Sequence, residues 1–179
     1  MNPRDLRLCR VLINAFLNVN PELITREQFW LVRAAHQAIQ DMRYPLFLLS
    51  LGEATQNQQH KMITQLVEKL NLDAAYERLI ALLIKKHDIM LLSQLLQVAQ
   101  WILQERTDSL FFEVESVGSL DKEQQRTIEA FLGALSSRHI LAEYRQNGSL
   151  VAGLRALNYT LLWEYSVARN MRAARTILR

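Results

Sequence analysis

By type, the residues of this 179-residue chain able to do chemistry are four histidines, one cysteine and a row of arginines near the carboxyl end. His36, His60, His87 and His139 stand too far apart to pair as metal ligands on one helix or strand. Cys9 has no neighbouring base, and a single cysteine allows neither an intrachain disulfide nor a cysteine-rich zinc site. It reads as a buried structural residue in an intracellular chain. The glycines stand singly at 52, 118, 133, 148 and 153, so no phosphate-cradling loop can form. Carboxylates are not grouped as hydrolysis or metal binding requires. The expectation is a protein that is not an enzyme, with no cofactor and no metal.

Arg169, Arg172, Arg175 and Arg179 form a helical stripe. It reads first as a solvated face that complements the helix dipole. Phosphate binding or an acidic partner helix are the other uses open to it. Trp30, Trp101 and Trp163 lack the interleaved basic residues of a base-stacking platform and read as core or rim. A net charge of +3 is a mild excess, short of a dedicated nucleic-acid surface. Half the residues are hydrophobic, enough to fold without a staple. No apolar run is long enough to span a bilayer, so direct membrane insertion is not expected.

The elements that must position these residues are mostly helical. Five glycines and three prolines, the prolines all in the first quarter, leave long uninterrupted stretches. Leu6, Cys9, Ile13, Phe16 and Leu17 recur at helical spacing, ending at Asn20-Pro21. Thr25 with Gln28 is a capping-box pattern, opening a helix to about Asp41 whose apolar face is Phe29, Val32, His36 and Ile39. Leu46 to Leu51 reads as a short buried helix. Thr55 with Gln58 opens another, with Met62, Ile63, Leu66, Val67 and Leu70 inward. Asp73 caps a helix burying Tyr76, Leu79, Ile80, Leu83 and Ile84. A last long helix carries Ile89, Leu92, Leu95, Leu96, Ala99, Ile102 and Leu103. The expectation is a six-helix bundle over residues 1–105.

The period then changes. Phe112 to Ser116 alternates as a half-buried strand does. Ser119 can cap a helix with Ile128, Phe131, Leu132 and Leu135 inward. Ile140, Ala142 and Tyr144 alternate again, and Asn147-Gly148 signals a hairpin joining Ile140–Arg145 to Leu150–Leu157. Thr160 to Glu164 is a further strand, and Ser166 to Leu178 a final helix. Residues 106–179 therefore read as a small β-α-β-β-β-α domain, and the whole chain as mainly α within an α+β class.

This order of elements, with several short motifs, resembles the delta subunit of F-type ATP synthases, whose mitochondrial counterpart is the oligomycin-sensitivity-conferring protein. Leu79 to Leu92 resembles that family's fifth helix, basic turn and sixth-helix start. Phe112 to Gln124 resembles its strand and following helix start. Ser149-Leu-Val-Ala-Gly-Leu-Arg155 resembles the segment that usually holds paired glycines, with Ala152 at the first of them. Glu164-Tyr-Ser-Val167 stands where Asp-Gly-Ser-Val is typical. The resemblance is to a divergent member.

The resemblance implies a structural stator subunit of the peripheral stalk, linking the catalytic alpha/beta head to the b-subunit stalk so that the head does not turn with the rotor during proton-driven ATP synthesis. Its bundle would bind the amino-terminal helices of alpha subunits, in a groove formed by Leu8, Leu12, Ala15 and Val19 with Leu79, Ile80, Leu83 and Ile84. The plainer reading makes these residues bundle core. Its carboxy-terminal domain would hold the carboxy-terminal end of b, through a region including Leu150, Val151, Gly153, Ser166, Val167 and Met171. Gly153 matches the second family glycine, where a side chain would block a neighbouring element. The place implied is the cytoplasmic side of a bacterial cell membrane, peripheral to it, or the mitochondrial inner membrane. The competing reading is a free-standing helical adaptor or weak nucleic-acid binder using the arginine stripe.

Overall fold

A computed structural model describes residues 3–40, 56–167 and 169. The chain divides into two compact units, Met1–Thr107 and Asp108–Arg179. The first contains α1 (Pro3–Val19), α2 (Arg26–Gln40), α3 (Gln56–Lys69), α4 (Ala75–Lys85) and α5 (Leu92–Arg106). The expected short helix Leu46 to Leu51 and the cap Thr55 lie outside the described residues.

Local chemistry explains where these helices begin and end. The Thr25 hydroxyl accepts from the Gln28 amide at 3.1 Å and opens α2. The Asp73 carboxylate accepts from the Ala75 amide at 2.8 Å and opens α4. At its far end His87 takes φ 59°, and the amides of His87 and Asp88 reach back to Ile84 and Leu83. That left-handed residue closes the helix as glycine usually does. α5 packs on both α1 and α2, and α3 packs on α4. Enclosure on several sides buries Val98 and Gln100 of α5 beside the expected Leu95, Leu96, Ala99, Ile102 and Leu103.

Four expected core positions differ. On α2 the buried residue is Ala35, while His36 is half-buried. The His36 ring lies 3.3 Å from the Gln40 amide nitrogen, and that amide reaches Ser93 on α5 at 3.0 Å. Met62 on α3 is exposed. On α1, Cys9, Ile13 and Leu17 are buried, but Leu6 and Phe16 are only half-buried.

The second unit contains β1 (Ser109–Ser116), α6 (Lys122–Ser136), β2 (His139–Gln146), β3 (Gly153–Leu157) and β4 (Leu162–Ser166), in a sheet of order β2-β1-β3-β4. β1 and β2 are parallel, and α6 supplies the crossover that parallel neighbours require. β1 pairs antiparallel with β3, and β3 with β4. The expected hairpin between β2 and β3 does not form. Asn147 instead caps a short 3-10 turn, Gly148–Leu150, accepting from the Ser149 amide at 3.0 Å. Its side-chain amide donates to Glu115 at 2.8 Å, so the chain crosses β1 rather than folding back on β2.

The α6 cap also differs: Asp121, not Ser119, forms a reciprocal capping box with Gln124. Of the expected stripe Ile128 and Leu132 are buried, whereas Phe131 and Leu135 are 43% and 65% exposed, Phe131 lying at the edge with its ring 5.2 Å from that of Trp163 on β4. The strands Leu150–Leu157 and Thr160–Glu164 shorten or shift to 153–157 and 162–166. Ser166 ends β4 and also opens the expected helix, its hydroxyl accepting from the Arg169 amide at 3.1 Å; Val167 and Arg169 are helical, and the rest of the final segment lies outside the described residues.

Candidate functional site

A face of α1 flanking its core stripe carries Leu12, Ala15, Phe16 and Val19, at i, i+3, i+4 and i+7. The matching face of α4 carries Ala75, Arg78, Leu79 and Leu82 at the same spacing. Together with Asn20 these stripes line an apolar groove of about 280 Å³. A face of that period is what an amphipathic helix meets when it lies in a groove.

The groove has a rigid back. Phe16 packs on Tyr76 of α4 with ring centroids 4.8 Å apart, and Tyr76 is fully buried. Burial pushes the Tyr76 hydroxyl up to about 12; the Asp73 charge adds to this and the nearby Gln28 side chain opposes it. That hydroxyl and the Gln28 amide nitrogen are buried with neither in hydrogen-bonding geometry. Asn20 spends its side-chain amide on the Phe16 carbonyl at 2.8 Å, capping its own helix. Among the described residues Arg78 is the one ionisable side chain lining the groove.

Of the residues expected there, Leu12, Ala15, Val19 and Leu79 line the groove. Leu8 is exposed outside it. Ile80, Leu83 and Ile84 belong to the bundle core; Leu83 is 2% exposed, whereas Leu82 beside it is 40% exposed. Sequence reasoning missed Leu82, Ala75, Phe16, Arg78 and Asn20. The signal was present: a second i, i+3, i+4, i+7 stripe on each helix, overlapping the core stripe at Phe16 and Leu79.

In the second unit the expected contact residues do not form one surface. Leu150 and Ser166 are buried. Val151 is 61% exposed and held at φ 65°, strained for a β-branched residue. Gly153 has φ 103°, and a Cβ there would meet the Tyr165 carbonyl oxygen at 2.1 Å. The close neighbour expected at this glycine is therefore β4. The Val167 amide donates to the Ala152 carbonyl at 3.0 Å, leaving the Val167 side chain exposed near Val151. Met171 lies outside the described residues.

The sheet face opposite α6 is charged. Arg145 pairs with Glu113 and Glu143 at 2.9 and 3.0 Å, and Arg155 with Glu115. Glu143 hydrogen bonding raises the Arg145 pKa further, opposed by slight burial. Tyr144, on the α6 side, donates to Glu129 at 2.9 Å; burial first, then that carboxylate, pushes its hydroxyl up. Arg169, first of the arginine stripe, donates to the Glu164 carbonyl at 2.7 Å; Arg172, Arg175 and Arg179 lie outside the described residues.

Burial raises the pKa of the Cys9 thiol, with Asp5 adding to the effect, which suits a packing residue and not a nucleophile. Burial first, then the Arg33 charge, lowers that of His36. Among the described residues no cluster of histidine, cysteine and carboxylate side chains could hold a metal, and no helix is long and apolar enough to cross a membrane.

The family model described as ATP synthase delta (OSCP) subunit matches residues 33–177. A chain of the Toxoplasma gondii mitochondrial ATP synthase hexamer has the same fold, with a TM-score of 0.61 at 12% identity, covering 96% of this chain and 97% of that one. No curated protein matches the sequence.

Proposed function

Because the chain belongs to the ATP synthase delta (OSCP) subunit family, we propose that it is the stator link joining the catalytic alpha/beta head to the b-subunit stalk. In this role it keeps the head from turning with the rotor, at the cytoplasmic side of a bacterial cell membrane or in the corresponding place on the mitochondrial inner membrane. The helical unit binds the amino-terminal helix of an alpha subunit, and the α+β unit holds the carboxy-terminal end of b.

The observation that carries the reading is the α1/α4 groove, two apolar stripes of helical period with Arg78 as the single charged lining side chain among the described residues. A linker under torque needs slow dissociation, and buried apolar contact resists salt screening better than exposed ion pairs do. Leu12, Ala15, Val19 and Leu79 of the expected set, with Leu82 and Phe16, make the alpha contact. Val151 and Val167 are the exposed apolar residues through which b is held.

The test is binding of an alpha amino-terminal peptide to the full chain. Leu82→Asp places a charge in the groove without disturbing the core, and should abolish binding while leaving the circular dichroism spectrum and melting unchanged. Leu83→Asp, a buried neighbour, should unfold the unit instead. Full peptide binding by a folded Leu82→Asp variant would overturn the groove assignment. Removing residues 166–179 should abolish b binding and leave alpha binding intact; retained b binding would show the two halves to be wrongly assigned.

A further inference from the structure

On its other flank α1 meets α5 in a separate cleft of about 280 Å³, apart from the α1/α4 groove. Its floor is Val98 and Ile102, both buried, and its walls are the half-buried Leu6 and Trp101. Val98, Trp101, Ile102 and Glu105 follow helical spacing along α5, so the cleft offers contacts at the period an inserted helix needs. Its rim is asymmetric in charge. Arg7 and Arg10 stand on the α1 side and Glu105 alone on the α5 side. Glu105 pairs with Arg10 at 3.5 Å; no ion pair within the chain engages Arg7 among the described residues. An apolar trough edged by one surplus guanidinium is complementary to an apolar helix face edged by carboxylates.

We infer that the α1/α5 cleft is a second docking groove, whose occupant is an acidic amphipathic helix that seats its apolar face on Val98, Trp101 and Ile102 and sets a carboxylate against Arg7. The two grooves flank one helix, so α1 serves as a shared wall for two inserted helices. The site is independent of whichever helix fills the α1/α4 groove.

The experiment uses the full chain and two synthetic amphipathic peptides about four turns long. Both carry leucine along one face; one has glutamate and the other lysine beside it. Indole proton resonances report the site, Trp101 being identified by the signal lost in Trp101→Phe. The glutamate peptide should shift the Trp101 resonance and bind about fivefold or more tighter than the lysine peptide. Arg7→Glu, an exposed change, should reverse that preference. Equal binding of both peptides, or an unmoved Trp101 resonance, overturns the inference. So does binding lost in Leu82→Asp but kept in Arg7→Glu, which would place the helix in the α1/α4 groove and leave the proposed function standing.

Discussion

In the helical unit the apolar side chains of α1 to α5 meet in one continuous core, from Cys9 through Tyr76 to Leu103. In the α+β unit one helix covers one sheet face, and the core is Phe112, Val114, Ile128, Leu132 and Ala156. Its other face is held by cross-strand ion pairs, Arg145 with Glu113 and Arg155 with Glu115. The first unit spreads its stability over many contacts, so its surface stripes are free to serve a partner. The second rests on a smaller buried set and on close backbone approach at Gly153. The difference lies in how exposed and buried positions are arranged: in the bundle they lie side by side on one helix, as Leu82 and Leu83 do, while in the sheet Gly153 is fixed by the close approach of β4.

The hardest test of this contrast is a cavity in the large core. Leu96→Ala, at a fully buried position, should cost about 3–5 kcal/mol. Native-state hydrogen exchange should show the loss in α1, α2 and α5 and not in β1 to β4. Gly153→Ala attacks the other unit. A Cβ that meets backbone at 2.1 Å in a positive-φ position should cost roughly 2–3 kcal/mol from strain, with exchange rising first at β3 and β4. Loss of protection in the helices instead would contradict the independence of the two cores.

A smaller effect should follow from Asp121→Ala, which removes the capping box of α6. About 1 kcal/mol is expected, read as a lower denaturation midpoint for the α+β unit alone, whereas Ser119→Ala should change almost nothing.

The smallest change expected is Tyr76→Phe. The hydroxyl it removes is buried without a hydrogen bond, so less than about 1 kcal/mol should be lost at neutral pH. Base distinguishes the variants. With a folded pKa of about 12 against roughly 10 unfolded, the neutral phenol's contribution is complete below pH about 10 and is lost as pH climbs toward 12. The phenylalanine variant should decline less across that window in urea unfolding. Parallel curves would show Tyr76 to be more solvated than its burial indicates.

The helices and their limits were legible because their determinants are local. Thr25 and Asp73 cap where their spacing to the first turn says they should, and Tyr76, Leu79, Ile80, Leu83 and Ile84 are all buried as their period requires. The core of the groove wall was harder. Leu79 satisfies both the core stripe and the groove stripe, so periodicity alone favoured Ile80 and Leu83 as contact residues when the neighbours of α4 had already enclosed them. In the sheet, Asn147-Gly148 carries a genuine turn signal, yet the turn leads β3 to β1, because Asn147 spends its amide on Glu115 instead of closing a two-residue hairpin.

What the sequence by itself determined is therefore the set of elements, the family they resemble and the lack of grouped reactive side chains. These follow from spacing and capping within a few residues, where backbone geometry leaves little choice. What only the tertiary structure decided is which apolar stripe stayed at the surface, and which strands became neighbours. Both depend on partners distant in the chain: Leu82 is exposed because no helix lies over it among the described residues, and β1 is central because a parallel crossover places β2 on one side and β3 on the other. A side chain's period states which face it shares; only packing states what that face meets.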